Sequence, residues 1–178
     1  MARIVIHVRG ANRLDADAFS SEQLMRDIGE LAIRKIRTRT ERRVDLNGQP
    51  FRPLSPAYAK RKAEAGLPPL ADLQVSGDML NAMVVDDVTK NTVHIGFAGQ
   101  GALAPPRTGR RRSNRGTASP QTFIQQSRSV GPADKAYYHN EAGVGNARIV
   151  REFFGLSEED EDDVVALIDR YFDELLGS

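Results

Sequence analysis

Hydrophobic and polar positions change their period several times along the chain. From Arg3 to Arg9, Ile4, Ile6 and Val8 alternate with Arg3, His7 and Arg9, with Val5 the one interruption, and this period of two predicts a strand. A polar stretch from Asn12 to Ser21 follows, with Ser20 or Ser21 placed to cap a helix. Leu24, Ile28, Leu31, Ala32 and Ile36 then recur at three- and four-residue spacing, predicting a helix that runs to about Arg43. Asn47-Gly48 marks a turn. Pro50, Pro53 and Pro56 then exclude regular pairing, and Ser55-Pro56 starts a short basic helix reaching about Ala65, stopped by Gly66 and Pro68-Pro69.

Ser76 is placed to cap a second short helix, Gly77 to about Met83, with Leu73, Leu80 and Met83 facing inward. Val84–Val88 and Thr92–Phe97 flank Lys90-Asn91 as a hairpin. Ala136–Asn140 resumes order after a long polar stretch, and a glycine turn at Gly143–Gly145 precedes an expected last strand, Ala147 to Phe154. Ser157 caps a final helix with acids in its first turns, favourable for the helix dipole. Its inward stripe is Val164, Leu167, Ile168, Tyr171, Phe172 and Leu175. The pattern predicts an α+β fold: a mostly antiparallel sheet of four to five strands packed by a long N-terminal helix and a C-terminal helix.

At 178 residues and 19.6 kDa the chain suits one domain, residues 1–178, with a proper core. No apolar run approaches the roughly 20 residues that span a bilayer, and the charged start is unlike a signal peptide. With no cysteine, disulfide scaffolds, thiol nucleophiles and cysteine-based zinc sites are excluded. The expectation is a soluble domain made in the cytoplasm, with no membrane association.

Charge changes the picture more than composition does. Residues 152–178 hold ten acids against one base, Arg170, for a net −9, so residues 1–151 carry +10. Such a split calls either for internal docking of the acidic end or for head-to-tail contact between copies. The outer face of the first helix is basic (Arg34, Lys35, Arg37, Arg39, Arg42, Arg43) and reads foremost as a solvated face, otherwise as a surface for an acidic partner or DNA. Residues 99–134 are rich in Gly, Ala, Pro, Ser, Thr and Gln. They carry Arg107, Arg110, Arg111, Arg112, Arg115 and Arg128 with no acid before Asp134, which predicts a flexible insertion that cannot bury a core. Its arginines suit contact with an acidic protein surface, including the acidic helix of a neighbouring copy. Phosphate neutralisation without sequence readout is the other use, since interleaved aromatics for base stacking are lacking; a solvated loop is the third reading.

Catalytic chemistry finds no footing. His7, His94 and His139 are far apart and read as surface or half-buried polar residues rather than metal ligands. Gly143-Val144-Gly145 lacks the third glycine and the strand–helix context of a dinucleotide site. No serine stands in a nucleophile-elbow context. The run Glu158–Asp163 lacks the spacers and glycine bend of a calcium loop and reads as a solvated helix start. The expectation is a non-enzyme with no cofactor and no metal.

Several local patterns nevertheless fall into one order. They are Asn47-Gly48-Gln49-Pro50-Phe51-Arg52-Pro53-Leu54-Ser55-Pro56 leading to Ala59-Lys60-Arg61-Lys62, then Leu73-x-x-Ser76-Gly77-Asp78-Met79-Leu80, and then the hairpin end Val93-x-Ile95-Gly96. Tyr137-Tyr138-x-x-Glu141-x-Gly143 and Arg151-Glu152-Phe153-Phe154-Gly155-Leu156-Ser157 follow. In this order they resemble the tail-completion, or virion morphogenesis, family of tailed bacteriophages, as in Mu-like phages, over about residues 20–176 apart from the insertion. Two features depart from the family's pattern: Glu152 stands where proline is usual, which loosens the chain before the last helix, and the arginine-rich insertion is long.

The resemblance implies a structural virion protein of the phage neck, made in the host cytoplasm, that completes the tail and joins it to the head connector. It implies a ring, with six copies expected, and contact with the connector or stopper and with the tail terminator or tail tube. The insertion would face a neighbour or the DNA in the channel. The residues carrying the resemblance (Gly48, Phe51, Pro53, Leu54, Ser55, Lys62, Ser76, Gly77, Leu80, Gly96, Tyr137, Gly143, Arg151, Phe153, Gly155 and Leu156) suit core packing and tight turns rather than direct contact. The competing expectation is a small nucleic-acid-binding protein that uses the basic helix and the insertion.

Overall fold

The computed structural model describes residues 3–8, 21–73, 77–99, 131–144 and 147–176. Strand β1 (Ile4–His7) precedes the long helix α1 (Ser21–Glu41), the short helices α2 (Pro56–Glu64) and α3 (Asp78–Asn81), and the hairpin β2 (Met83–Val88) and β3 (Thr92–Phe97). Helix α4 (Pro132–Tyr137) runs into one π-helical turn (Tyr138–Ala142), and α5 (Glu158–Leu176) closes the described chain. Among the described residues the fold is mixed α+β, with a sheet ordered β1-β3-β2 and antiparallel throughout.

The sheet therefore has three strands, not the four to five expected. The segment read as a last strand, Ala147 to Phe154, pairs only through one isolated bridge, Val144 with Ile149. Three of its other backbone groups find partners elsewhere. Arg151 N–H donates to His139 O (2.7 Å), Phe154 N–H to the Asn140 side chain (2.9 Å), and Glu152 O accepts from Leu46 N–H (3.1 Å). A chain whose hydrogen bonds go to a helix end, a side chain and a loop has no ladder to join.

Strand β3 is central: Ile4 pairs with Ile95 on one side and Val88 with Val93 on the other, and Val93 and Ile95, which share one face, are fully buried. A bulge between Val85 and Asp87 kinks the β2 edge. Helix α1 lies across this sheet on Leu24, Met25, Ile28, Ala32, Ile33 and Ile36, all buried at helical spacing. It comes close because Gly29 has no side chain: a Cβ there would stand 2.7 Å from Val85 Cγ2 and 2.8 Å from Val93 Cγ2.

Two apolar clusters meet under α1. The larger joins Ile33, Ile36, Met79, Leu80, Ile95 and Phe97 to Phe153 and Phe154, with Phe97 and Phe154 rings 4.7 Å apart. The smaller joins Leu24, Met25, Ile28 and Val93 to Val164, with Leu167, Ile168 and Tyr171 of α5 partly buried against it. Helix α3 is one turn, shorter than expected, because Met83 is drawn into β2 and buried there. Pro132–Asp134, counted with the insertion by composition, open α4 and bury Ala133. Arg107, Arg110, Arg111, Arg112, Arg115, Arg128 and Ser76 lie outside the described residues.

Candidate functional site

The basic stripe of α1 is not simply a solvated face. Arg39 is buried beside Asp160 near the start of α5, and it also donates through Nη2 to Phe153 O (3.1 Å) and Gly155 O (2.6 Å). Lys35 pairs with Asp163 one turn away, and the hydrogen bond to that carboxylate raises the lysine pKa above its usual value. Arg37 turns to α3 and donates through Nε to Leu80 O (3.1 Å), one of the carbonyls a helix end leaves without a partner. Arg34, Arg42 and Arg43 remain exposed. Internal docking thus absorbs part of the charge asymmetry.

Asp160 does a second task. Its carboxylate accepts from Ser157 N–H (3.0 Å) while its own N–H donates to Ser157 Oγ (3.3 Å), a reciprocal cap at the start of α5. The acid run is therefore a solvated helix start at Glu158, Glu159, Glu161 and Asp162, but not at Asp160.

Away from α5, several residues of the boxes quoted above come together. Arg151, only 5% exposed, donates through Nε to Arg52 O (3.1 Å) and through Nη2 to Pro53 O (3.3 Å), tying the last box to the first across about a hundred residues. Phe51 is buried and Leu54 half-buried on the same cluster as Phe153 and Leu156. Gly155 faces Leu46, where a Cβ would stand 2.8 Å from Leu46 Cδ1. Lys62 is buried on α2 and donates to Leu70 O (2.9 Å) and to Asp72 (2.5 Å). Gly77, at φ 74°, and Gly143, at φ 78°, end or start elements in the left-handed region. A Cβ on Gly143 would fall 2.4 Å from the Arg148 carbonyl oxygen. Gly48 turns at φ 72°, Leu80 and Gly96 are buried, and Tyr137 meets Tyr138 edge-on at 5.7 Å. Ser55 precedes Pro56 at the start of α2 as expected, but its hydroxyl makes no capping bond; its carbonyl accepts from Tyr58 and Ala59 instead.

Of these residues, Leu54, Lys62, Gly77 and Arg151 help wall a cavity of about 320 Å³ between α2, the Leu70–Leu73 segment, α4 and Arg151. A neighbouring cavity of about 500 Å³, which Arg61 and Ile149 also line, shares the Leu54, Tyr58, His139 and Arg151 wall. Arg61 lies over the Tyr58 ring at 5.4 Å. His139, in the π-helical turn, has a buried Nδ1 without a hydrogen-bond partner. Burial, and then the positive charge of Arg151, push its pKa down to about 4, so the imidazole is neutral at physiological pH. Burial also lowers the pKa of Arg151. Among the described residues no three His, Asp or Glu side chains gather as a metal site would need, and no helix is long and apolar enough to cross a membrane.

Sequence reading placed Arg39 on a solvated basic face and Asp160 in a solvated acid run, whereas both are buried, and it did not single out Asp72 or Gly29. In the fold Lys35 and Arg39, four apart on α1, meet Asp163 and Asp160, three apart on α5. Nothing local marks Asp72 or Gly29. Compared with protein-family profiles, with curated proteins and with solved structures, the chain matches none.

Proposed function

We propose that this chain is a structural virion protein of a tailed-phage neck, completing the tail and joining it to the head connector as a ring of its own copies. One observation carries the reading: a single buried arginine, Arg151, ties the last box to the first through the Arg52 and Pro53 carbonyls, and Leu54, Lys62 and Gly77 of the other boxes line the cavity beside it. Such bonds hold a shape. A shape is what a ring component contributes. The wide spacing of the boxes in sequence and their proximity in space support treating them as one motif set.

The nucleic-acid reading is weakened at its first support. Lys35, Arg37 and Arg39 are engaged inside the domain, which breaks the continuous cationic stripe that phosphate tracking needs.

The test is electron microscopy of lysates from a phage lacking this gene, with plasmid complementation. DNA-filled heads beside detached, full-length tails are the expected result. Intact virions would overturn the reading. In that case, micromolar DNA binding by the purified chain that survives physiological salt would establish the nucleic-acid alternative.

A further inference from the structure

We infer that the cationic cavity beside Arg151 is the receiving surface for a second copy of this chain, whose acidic outer face of α5 docks into it. The inference rests on the ring reading above and names the surfaces that would close such a ring.

The receiving side is a hole with an unspent positive charge. Arg61, Lys62, Lys135 and Arg151 line the two joined cavities, and Asp72 is the one acid among their lining residues. Asp72 is already paired with Lys62. Arg151 spends Nε and Nη2 on backbone carbonyls, which are neutral and do not balance its charge. His139 adds an unpartnered buried nitrogen beside it. The rim carries apolar surface as well: Tyr58 is 37% exposed, stacked with Arg61, and Leu70 is 44% exposed. An aromatic, an arginine and an apolar residue around a desolvated pocket are the composition of an interface centre.

The donating side is its complement. Val165 is 54% exposed, the most exposed large hydrophobic residue described, and it stands on α5. Glu161, Asp162 and Asp169, at four and three residues before it and four after, share its side of the helix and are all exposed. The internal ion pairs of α5 use Asp160 and Asp163 and leave this face unspent. One exposed apolar residue set among three acids matches an apolar rim around a cationic hole. The two surfaces lie on different elements, so the contact is heterologous, and its repetition closes a ring or extends a filament.

Sedimentation velocity of the full chain tests this. At about 50 mM salt the wild type is expected to associate, and at about 500 mM to dissociate, because exposed charges are screened. Arg61→Glu and Asp162→Arg, both at exposed helix positions, are each expected to weaken association at least about tenfold, with unchanged thermal unfolding as the folding control. Mixed in equal amounts, the two variants are expected to recover affinity to within about threefold of wild type, because each now offers the charge that the other lacks. A wild type that stays monomeric at low salt overturns the inference. So does association that Asp162→Arg breaks and Arg61→Glu spares, which would put the acceptor elsewhere, or single variants that the mixture fails to rescue. Lysates of the gene-deleted phage decide the neck reading separately: intact virions with a rescued mixture would leave the contact standing without the neck.

Discussion

Arg39 and Asp160, 121 residues apart, form an ion pair whose two side chains are 9% and 8% exposed, and the same carboxylate caps the helix it starts. Two charges out of water are costly unless their remaining hydrogen-bonding groups are met. Here Phe153 O and Gly155 O accept from Arg39 Nη2 and Ser157 N–H donates to the Asp160 carboxylate, while Arg39 Nε is buried without a partner among the described residues. Breaking the pair from one side is then worse than removing it. Asp160→Ala is expected to cost about 3–5 kcal/mol in urea unfolding, because it strands a buried guanidinium and removes the cap. Arg39→Met with Asp160→Ala is expected to recover more than half of that loss. A single-variant loss below about 1 kcal/mol would show that the pair is solvated in solution.

Gly29 gives a prediction whose sign opposes helix propensity. Replacing a mid-helix glycine by alanine ordinarily stabilises by about 1 kcal/mol. At Gly29 the added methyl meets Val85 and Val93 Cγ2 at under 3 Å, and both belong to strands that cannot retreat without opening the sheet. Gly29→Ala is expected to destabilise by about 1–3 kcal/mol, read from the urea midpoint at unchanged slope. A more stable variant would mean that α1 stands farther from the sheet.

The two outcomes show what a sequence can reveal. The period of apolar residues marks α1, the β2–β3 hairpin and α5 plainly, because each element buries one stripe or one face and local spacing records it. Ala147–Phe154 misled because Ile149, Phe153 and Phe154 look like strand residues, while the partners that decide the matter, His139 O, Asn140 and Leu46, are close only in space. The site divides in the same way. Lys62 and Arg151 stood out through motif resemblance, yet the burial of Arg39 could not be read from a helix face where Arg34 and Arg42 look identical in spacing. Which cation of a stripe is buried depends on where a distant helix crosses it.

His139 ties stability to mild acid. Its folded pKa, about 4, lies below the 6.5 of an exposed histidine, so the unfolded chain takes up a proton between these values and the folded chain does not. Stability is full above pH 6.5, falls as pH drops towards 4, and loses no more from this group below that. Between pH 7.5 and 5 the loss assignable to His139 is about 2 kcal/mol. His139→Gln keeps a polar side chain without the titration, so its urea stability is expected to fall less than wild type by about that amount over the same range. Parallel curves would mean that the imidazole is wet in solution.

On the neck reading proposed above, deleting the insertion is expected to separate folding from function. The two described apolar clusters are built from residues outside 100–130. Residues 99 and 131, which flank it, are close: a Cβ at Gly99 would stand 3.7 Å from Pro132 Cδ. A short linker can therefore bridge the gap at little cost in loop closure. Deleting residues 104–128 is expected to leave the thermal midpoint within about 2 °C of wild type. In complementation the same deletion is expected to yield filled heads and unattached tails, because it removes Arg107, Arg110, Arg111, Arg112 and Arg115 together with Arg128. Normal joining by the deleted protein would show that these arginines touch neither a neck neighbour nor channel DNA. A collapsed midpoint would show that the stretch packs on the domain.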